Sequence, residues 1–202
     1  MKLKLLELAV SVLVILLLMV LHEFPKTLCY FLMSDKDDRK RCISKMFYLH
    51  KYVDPIGVIL GVVAYAGFSK PYMYRIQNQK KNFLLGSIGI FILLGVFSIS
   101  VYVLKYEFFL QNLILTGKSL QEVLIQLFWI YMAILSGGML LVNLFPVSVF
   151  DMGLLIAGCS ARHYLGIIKN DMVIKVVLLF SMAIGLIREI VFSVISFYLA
   201  LG

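Results

Sequence analysis

Four apolar runs, each close to the ~20 residues a helix needs to cross the hydrocarbon core of a bilayer, constrain this chain more than any other feature. They are Leu5 to Met33, Phe83 to Leu104, Val123 to Phe145 and Val173 to Leu201. A mean hydropathy of +0.98 over 202 residues, 62% of them hydrophobic, lies far from the balance of a water-soluble domain. The expected fold class is an all-α integral membrane protein, one polytopic domain over residues 1–202. No low-complexity linker or clear internal repeat divides it. The N-terminal run has a basic start but is too long for a signal peptide and lacks a small-residue cleavage site, so it reads as a retained transmembrane helix.

A shorter run, Pro55 to Phe68, is flanked by Pro55 and Pro71, holds three glycines and is too short to cross comfortably. A re-entrant segment fits it, because irregular backbone is tolerated at membrane depth where protein or a cavity satisfies its polar groups. Charge supports that reading. Lys36, Arg39, Lys40, Arg41, Lys45 and Lys51 precede the run and Lys70, Arg75, Lys80 and Lys81 follow it. Lys and Arg collect in cytoplasmic loops, and only a hairpin keeps both clusters on one side. Four spans, a re-entrant hairpin and an outward N-terminus follow. The net charge of +8 sits in these loops, which argues for membrane topology and lipid contact rather than nucleic acid. Cys29, Cys42 and Cys159 are odd in number and lack metal-site spacing, so they read as free thiols.

Within the first span stands "HEFPK", His22 to Lys26. Ionisable groups at membrane depth require partners or a wet cavity. In H-E-x-x-H, two histidines one helical turn apart bind zinc while the glutamate acts as general base on the bound water. Here Lys26 takes the second histidine's place, and an ammonium has no lone pair to give. Pro25 also removes a backbone bond inside the helix and tends to kink it. On the proposed topology Asp151, just past the third span, reaches the same depth as His22 and Glu23.

"HKYVDPIGVILGVVAYAGFSKP", His50 to Pro71, resembles the H-x-x-D-P-I-G and G-F-x-x-A-K-P segment of compact bacterial site-2 proteases, which are intramembrane zinc metalloproteases. "NLFPVSVFDMG", Asn143 to Gly153, resembles that family's N-L-x-P-x-x-x-x-D-G-G stretch. The resemblance implies a site-2-protease-like core over about residues 5–160, followed by a C-terminal transmembrane helix, 173–201. It implies His22 and Asp151 as zinc ligands, Glu23 as general base and Asn143 as a group positioning the scissile backbone. It also implies a single-span membrane protein as substrate or regulator, and an extended edge in "RCISKMFYLHKYV", Arg41 to Val53, that pairs with it.

The departures fall on the chemistry. Lys26 replaces a ligand, Met152 replaces a glycine, and Ser148 and Val149 stand where proline is common. "LLGSIGIF", Leu84 to Phe91, also lacks the family's proline. The expectation is a homologue in the bacterial cytoplasmic membrane with lost or impaired zinc-dependent proteolysis, in which Lys26 offsets Glu23 or Asp151 in place of the metal. The alternative for Lys26 is to snorkel to the interface. The alternative for the chain is an active zinc metalloprotease whose missing ligand comes from elsewhere, His50 and His163 being the candidates. A small transporter using the buried charges as a relay is a third reading, which the ordered motifs disfavour.

Overall fold

The structure, a computed structural model, describes residues 2–33, 46–71, 78–113 and 120–200. Among them are seven α-helices and no strand: α1 (Lys2–Met33), α2 (Pro55–Ala64), α3 (Gln79–Leu113), α4 (Leu120–Asn143), α5 (Asp151–Cys159), α6 (Ala161–Ala183) and α7 (Leu186–Ala200). A short 3-10 helix, Leu49–Tyr52, precedes α2. Cys42 and the basic residues Lys36, Arg39, Lys40, Arg41, Lys45 and Arg75 lie outside the described residues.

Helices α1, α3 and α4 are long and apolar enough to cross a membrane. Pro25 lies inside α1, and the helix continues past it to Met33. The fourth expected span is met only by a bent pair of helices. Instead of one helix over Val173–Leu201, α6 and α7 meet at a bend of 60°, and only as a pair do they meet the length and hydropathy of a span. The break falls at Gly185, whose φ of 77° lies in the left-handed region that glycine enters without steric cost. Its N–H donates to Met182 O and its own carbonyl accepts from Glu189 N, so one helix closes where the next begins. Hydropathy averages through such a residue, because it registers apolarity and not backbone torsion.

The core is built where the spans cross. Val14, Ile15, Leu18 and Met19 of α1 meet Leu93 of α3 and Met132, Leu135 and Met139 of α4. A second layer joins Val101 of α3, Ala133 and Ile134 of α4, and Val191 and Ile195 of α7. The glycines of "SGGM", Ser136 to Met139, permit close packing. A methyl on Gly138 would overlap Tyr65 O, and one on Gly137 would meet the Phe97 ring.

The short run is a hairpin. Asp54 caps α2, its carboxylate accepting from Ile56 N at 2.9 Å and Gly57 N at 3.0 Å, with Pro55 in the first turn where its missing N–H costs nothing. The helix ends at Tyr65, which takes left-handed torsions, and the chain returns without regular structure beside it. Gly57 admits the returning backbone, since a methyl there would overlap Phe68 O. Lys70 N donates to Tyr52 O at 2.9 Å, tying the two ends together. The described start and end of the hairpin therefore lie side by side.

The extended edge expected over Arg41 to Val53 is corrected as far as it is described; residues 41–45 lie outside. Lys51 N donates to Tyr48 O and the Tyr52 hydroxyl to Met46 O, so local bonds take up backbone groups that an edge would offer.

Candidate functional site

The apolar stripe of α1 that carries Ile15, Leu18 and Met19 continues, one turn further on, as His22, Glu23 and Lys26. All three side chains face inward and are 1% exposed. Two other elements complete the cluster. Ser69, on the returning arm of the hairpin, and Asp151, the first residue of α5, are both buried beside them.

Lys26 is the hub. Its Nζ lies 2.9 Å from Glu23 Oε1 and 2.7 Å from Asp151 Oδ1. The approach to Asp151 Oδ1 is off the hydrogen-bonding angle, so that oxygen is held by charge without a well-directed bond. Snorkelling is thereby set aside: the ammonium turns into the protein and bridges both carboxylates. His22 Nε2 lies 2.6 Å from the other Asp151 oxygen, and Nδ1 lies 2.9 Å from Ser69 Oγ. The Ser69 hydroxyl donates to Glu23 Oε1 at 2.8 Å and so presents a lone pair to His22 Nδ1. This pattern is complete when both ring nitrogens carry protons, which gives two cations and two carboxylates. Charges at such depth persist when they are paired and hydrogen-bonded.

Asp151 is held from three directions. Gly89 of α3 makes room for its carboxylate, since a methyl there would overlap Oδ2 and stand 2.5 Å from Oδ1. Gly86, one turn earlier, lets the Asp151 backbone approach. The loop leading into Asp151 is braced by α6, where Asp171 accepts from Ser148 N at 2.8 Å and the Tyr164 hydroxyl donates to Ser148 O at 3.3 Å. Gly153 packs against Val147 O, which a methyl there would overlap.

Of the residues singled out from sequence, His22, Glu23, Lys26 and Asp151 come together. Asn143 is buried at the end of α4, where its amide donates to Met139 O of its own helix. Ser69, Gly86 and Gly89 were missed. Ser69 sits beside the resembled G-F pair; the two glycines lie in a stretch noted only for a missing proline.

The donor set does not fit zinc. Both His22 nitrogens are engaged, and an ammonium stands between the carboxylates. Among the described residues no three His, Cys, Asp or Glu side chains are arranged to hold a metal ion. His50 and His163 are exposed and supply no replacement, and Cys29 packs with the Tyr30 and Leu85 cluster. Ser69, His22 and Asp151 follow the order of a nucleophile relay. Here, however, the hydroxyl hydrogen goes to Glu23, and every member is sealed from solvent.

The described residues define a helical protein with three membrane-length apolar helices and a buried four-charge cluster. Compared with known proteins, the chain matches no family model, no curated protein and no solved structure.

Proposed function

We propose that this chain is a site-2-protease-like membrane protein in which the Lys26 ammonium occupies the metal's place, so that it engages a transmembrane segment of another protein without zinc-dependent cleavage. The observation that carries this reading is the bridge from Lys26 to both Glu23 and Asp151. A divalent cation between a histidine, a glutamate and an aspartate neutralises the same carboxylates that the ammonium neutralises here. The resemblance is supported by convergence, because residues from its three separated motifs meet at one point: His22 and Glu23, Ser69 beside Gly67 and Phe68, and Asp151.

The motif residues also perform structural tasks that outlast catalysis. Asp54 and Pro55 start α2, Gly57 admits the hairpin's return, and Gly153 closes the turn behind Asp151. A re-entrant hairpin in a cytoplasmic membrane, with both basic clusters on the inner side, completes the proposal. Its partner is a single-span protein or a regulator presenting a membrane-embedded segment.

Lys26→His tests the ancestry of the site. The variant, purified in detergent with zinc supplied and excess removed, is expected to retain about one zinc per chain, because the introduced imidazole would join His22 and Asp151 in a three-ligand set. Removing Asp151 as well, by Asp151→Ala, is expected to abolish retention. A folded Lys26→His protein that holds no zinc would remove the support for a site-2 protease origin.

A further inference from the structure

Two charges stand on the outside of the bundle at a depth where hydrocarbon is expected. Arg188 and Glu189, in the first turn of α7, have side chains 45% and 67% exposed. Their depth follows from the packing. A methyl on Gly137 of α4 would meet both Phe97 of α3 and Val191 of α7, and one turn further along these two helices Val101 and Ile195 join Ile134 of α4 in a single cluster. Helix α7 therefore runs parallel to α3 with Val191 beside Phe97. Arg188 and Glu189 precede Val191 by less than a turn, which sets them level with Leu94 and Gly95, near the middle of the apolar stretch Gln79–Tyr106.

Charges at such depth normally face a protein interior or a wet cavity. These two face outward. Ile187, Val191 and Ile195 form the buried side of α7, and Glu189 stands on the opposite side with Ser193, Ser196 and Ala200, all of them exposed. Bulky apolar side chains would suit lipid there, whereas small and hydroxylated ones suit the close approach of a second helix. Arg188 Nη2 donates to Glu189 Oε1 at 3.2 Å. A guanidinium can donate five such bonds and a carboxylate can accept on both oxygens, so the same two groups can also pair with their counterparts on another chain.

We propose that α7 packs against α7 of a second copy of this chain about a twofold axis along the membrane normal, with Arg188 of each subunit paired to Glu189 of the partner subunit. Charge complementarity selects the occupant. Neighbouring residues differ by only about 1.5 Å in height along a helix, so two parallel copies set each cation opposite a carboxylate, the reciprocal contact that an isologous interface requires. A lipid headgroup does not fit, because the pair lies at mid-depth. A span from a different protein would have to present a cation and a carboxylate at this same level, which a second copy does by identity. The inference rests on the membrane-spanning reading of the chain.

Cysteine cross-linking of the full chain in its own membranes tests this, in a background of Cys29→Ser, Cys42→Ser and Cys159→Ser. Oxidation of Ser193→Cys is expected to give a species of twice the 23.0 kDa chain mass, and Phe91→Cys, exposed on α3, is expected not to. Arg188→Glu alone, and Glu189→Arg alone, are each expected to reduce the Ser193→Cys cross-link roughly tenfold, since like charges then meet across the axis. Co-expressing the two reversed chains is expected to restore it as a mixed pair, a rescue that a bond within one chain cannot produce. Glu189→Gln, expected to weaken the cross-link less, replaces either reversal that fails to insert. No cross-link at Ser193→Cys, an equal one at Phe91→Cys, a cross-link unmoved by the reversals, or one to a chain of different mass would each overturn the proposal. Alkaline carbonate separates it from the reading beneath it: a chain that stays in the membrane without cross-linking overturns the pairing alone, and a chain that carbonate releases overturns both.

Discussion

Lys26→Met is expected to destabilise the protein by about 3–5 kcal/mol, the cost of leaving buried charges without a partner. The side chain keeps much of its volume, so the loss isolates the ammonium. Without it, Glu23 Oε1 and Asp151 Oδ1 each lose the cation that lies 2.9 Å and 2.7 Å away, and only His22 remains to offset two carboxylates. Thermal unfolding in detergent is expected to shift downward by on the order of 10 °C. Adding Glu23→Gln to Lys26→Met leaves His22 and Asp151 as one matched pair and is expected to recover part of the loss. A double variant that melts at the sum of the two single shifts would mean that Lys26 and Glu23 are not coupled.

Gly89→Ala is expected to be at least as damaging, although it adds one methyl and removes no charge. That methyl would overlap the carboxylate of Asp151, so either α3 and α5 part or the carboxylate turns away from Lys26 and His22 together. Overpacking alone costs about 1–3 kcal/mol, and loss of the ion pairs adds to it. Gly95→Ala is the matched control, on the same helix with nothing within 4 Å of the new methyl. Its melting point is expected to hold or rise, since alanine is the better helix former. In the Lys26→His background, Gly89→Ala is further expected to prevent zinc retention, a readout that general loss of packing at Gly95 would not reproduce.

Much of the cluster was legible in the sequence. Depth along the first span, with the end of the third, brought His22, Glu23 and Asp151 together, and one-turn spacing put Lys26 on the face of His22. What could not be read was anything fixed by the approach of distant backbones. Ser69 reaches His22 because Gly57 and Gly67 let the returning arm lie against α2, a register that no local pattern encodes. Gly89 reads as one more helix glycine until Asp151 is known to fill the space beside it. The bend at Gly185 escaped for a simpler reason, since a left-handed torsion inside an apolar run leaves hydropathy unchanged. The expected strand edge came from resemblance alone, and local bonds around Tyr48 and Tyr52 compete with it.

In the proposed reading an internal ammonium, and not a metal, balances the buried carboxylates. Zinc content of the native chain, purified without added metal and measured per mole of protein, tests it most directly. Far less than one zinc per chain is expected, unchanged by Asp151→Ala. Near-equimolar zinc that Asp151→Ala removes would contradict the claim, and would show that Lys26 leaves the cluster to admit a metal.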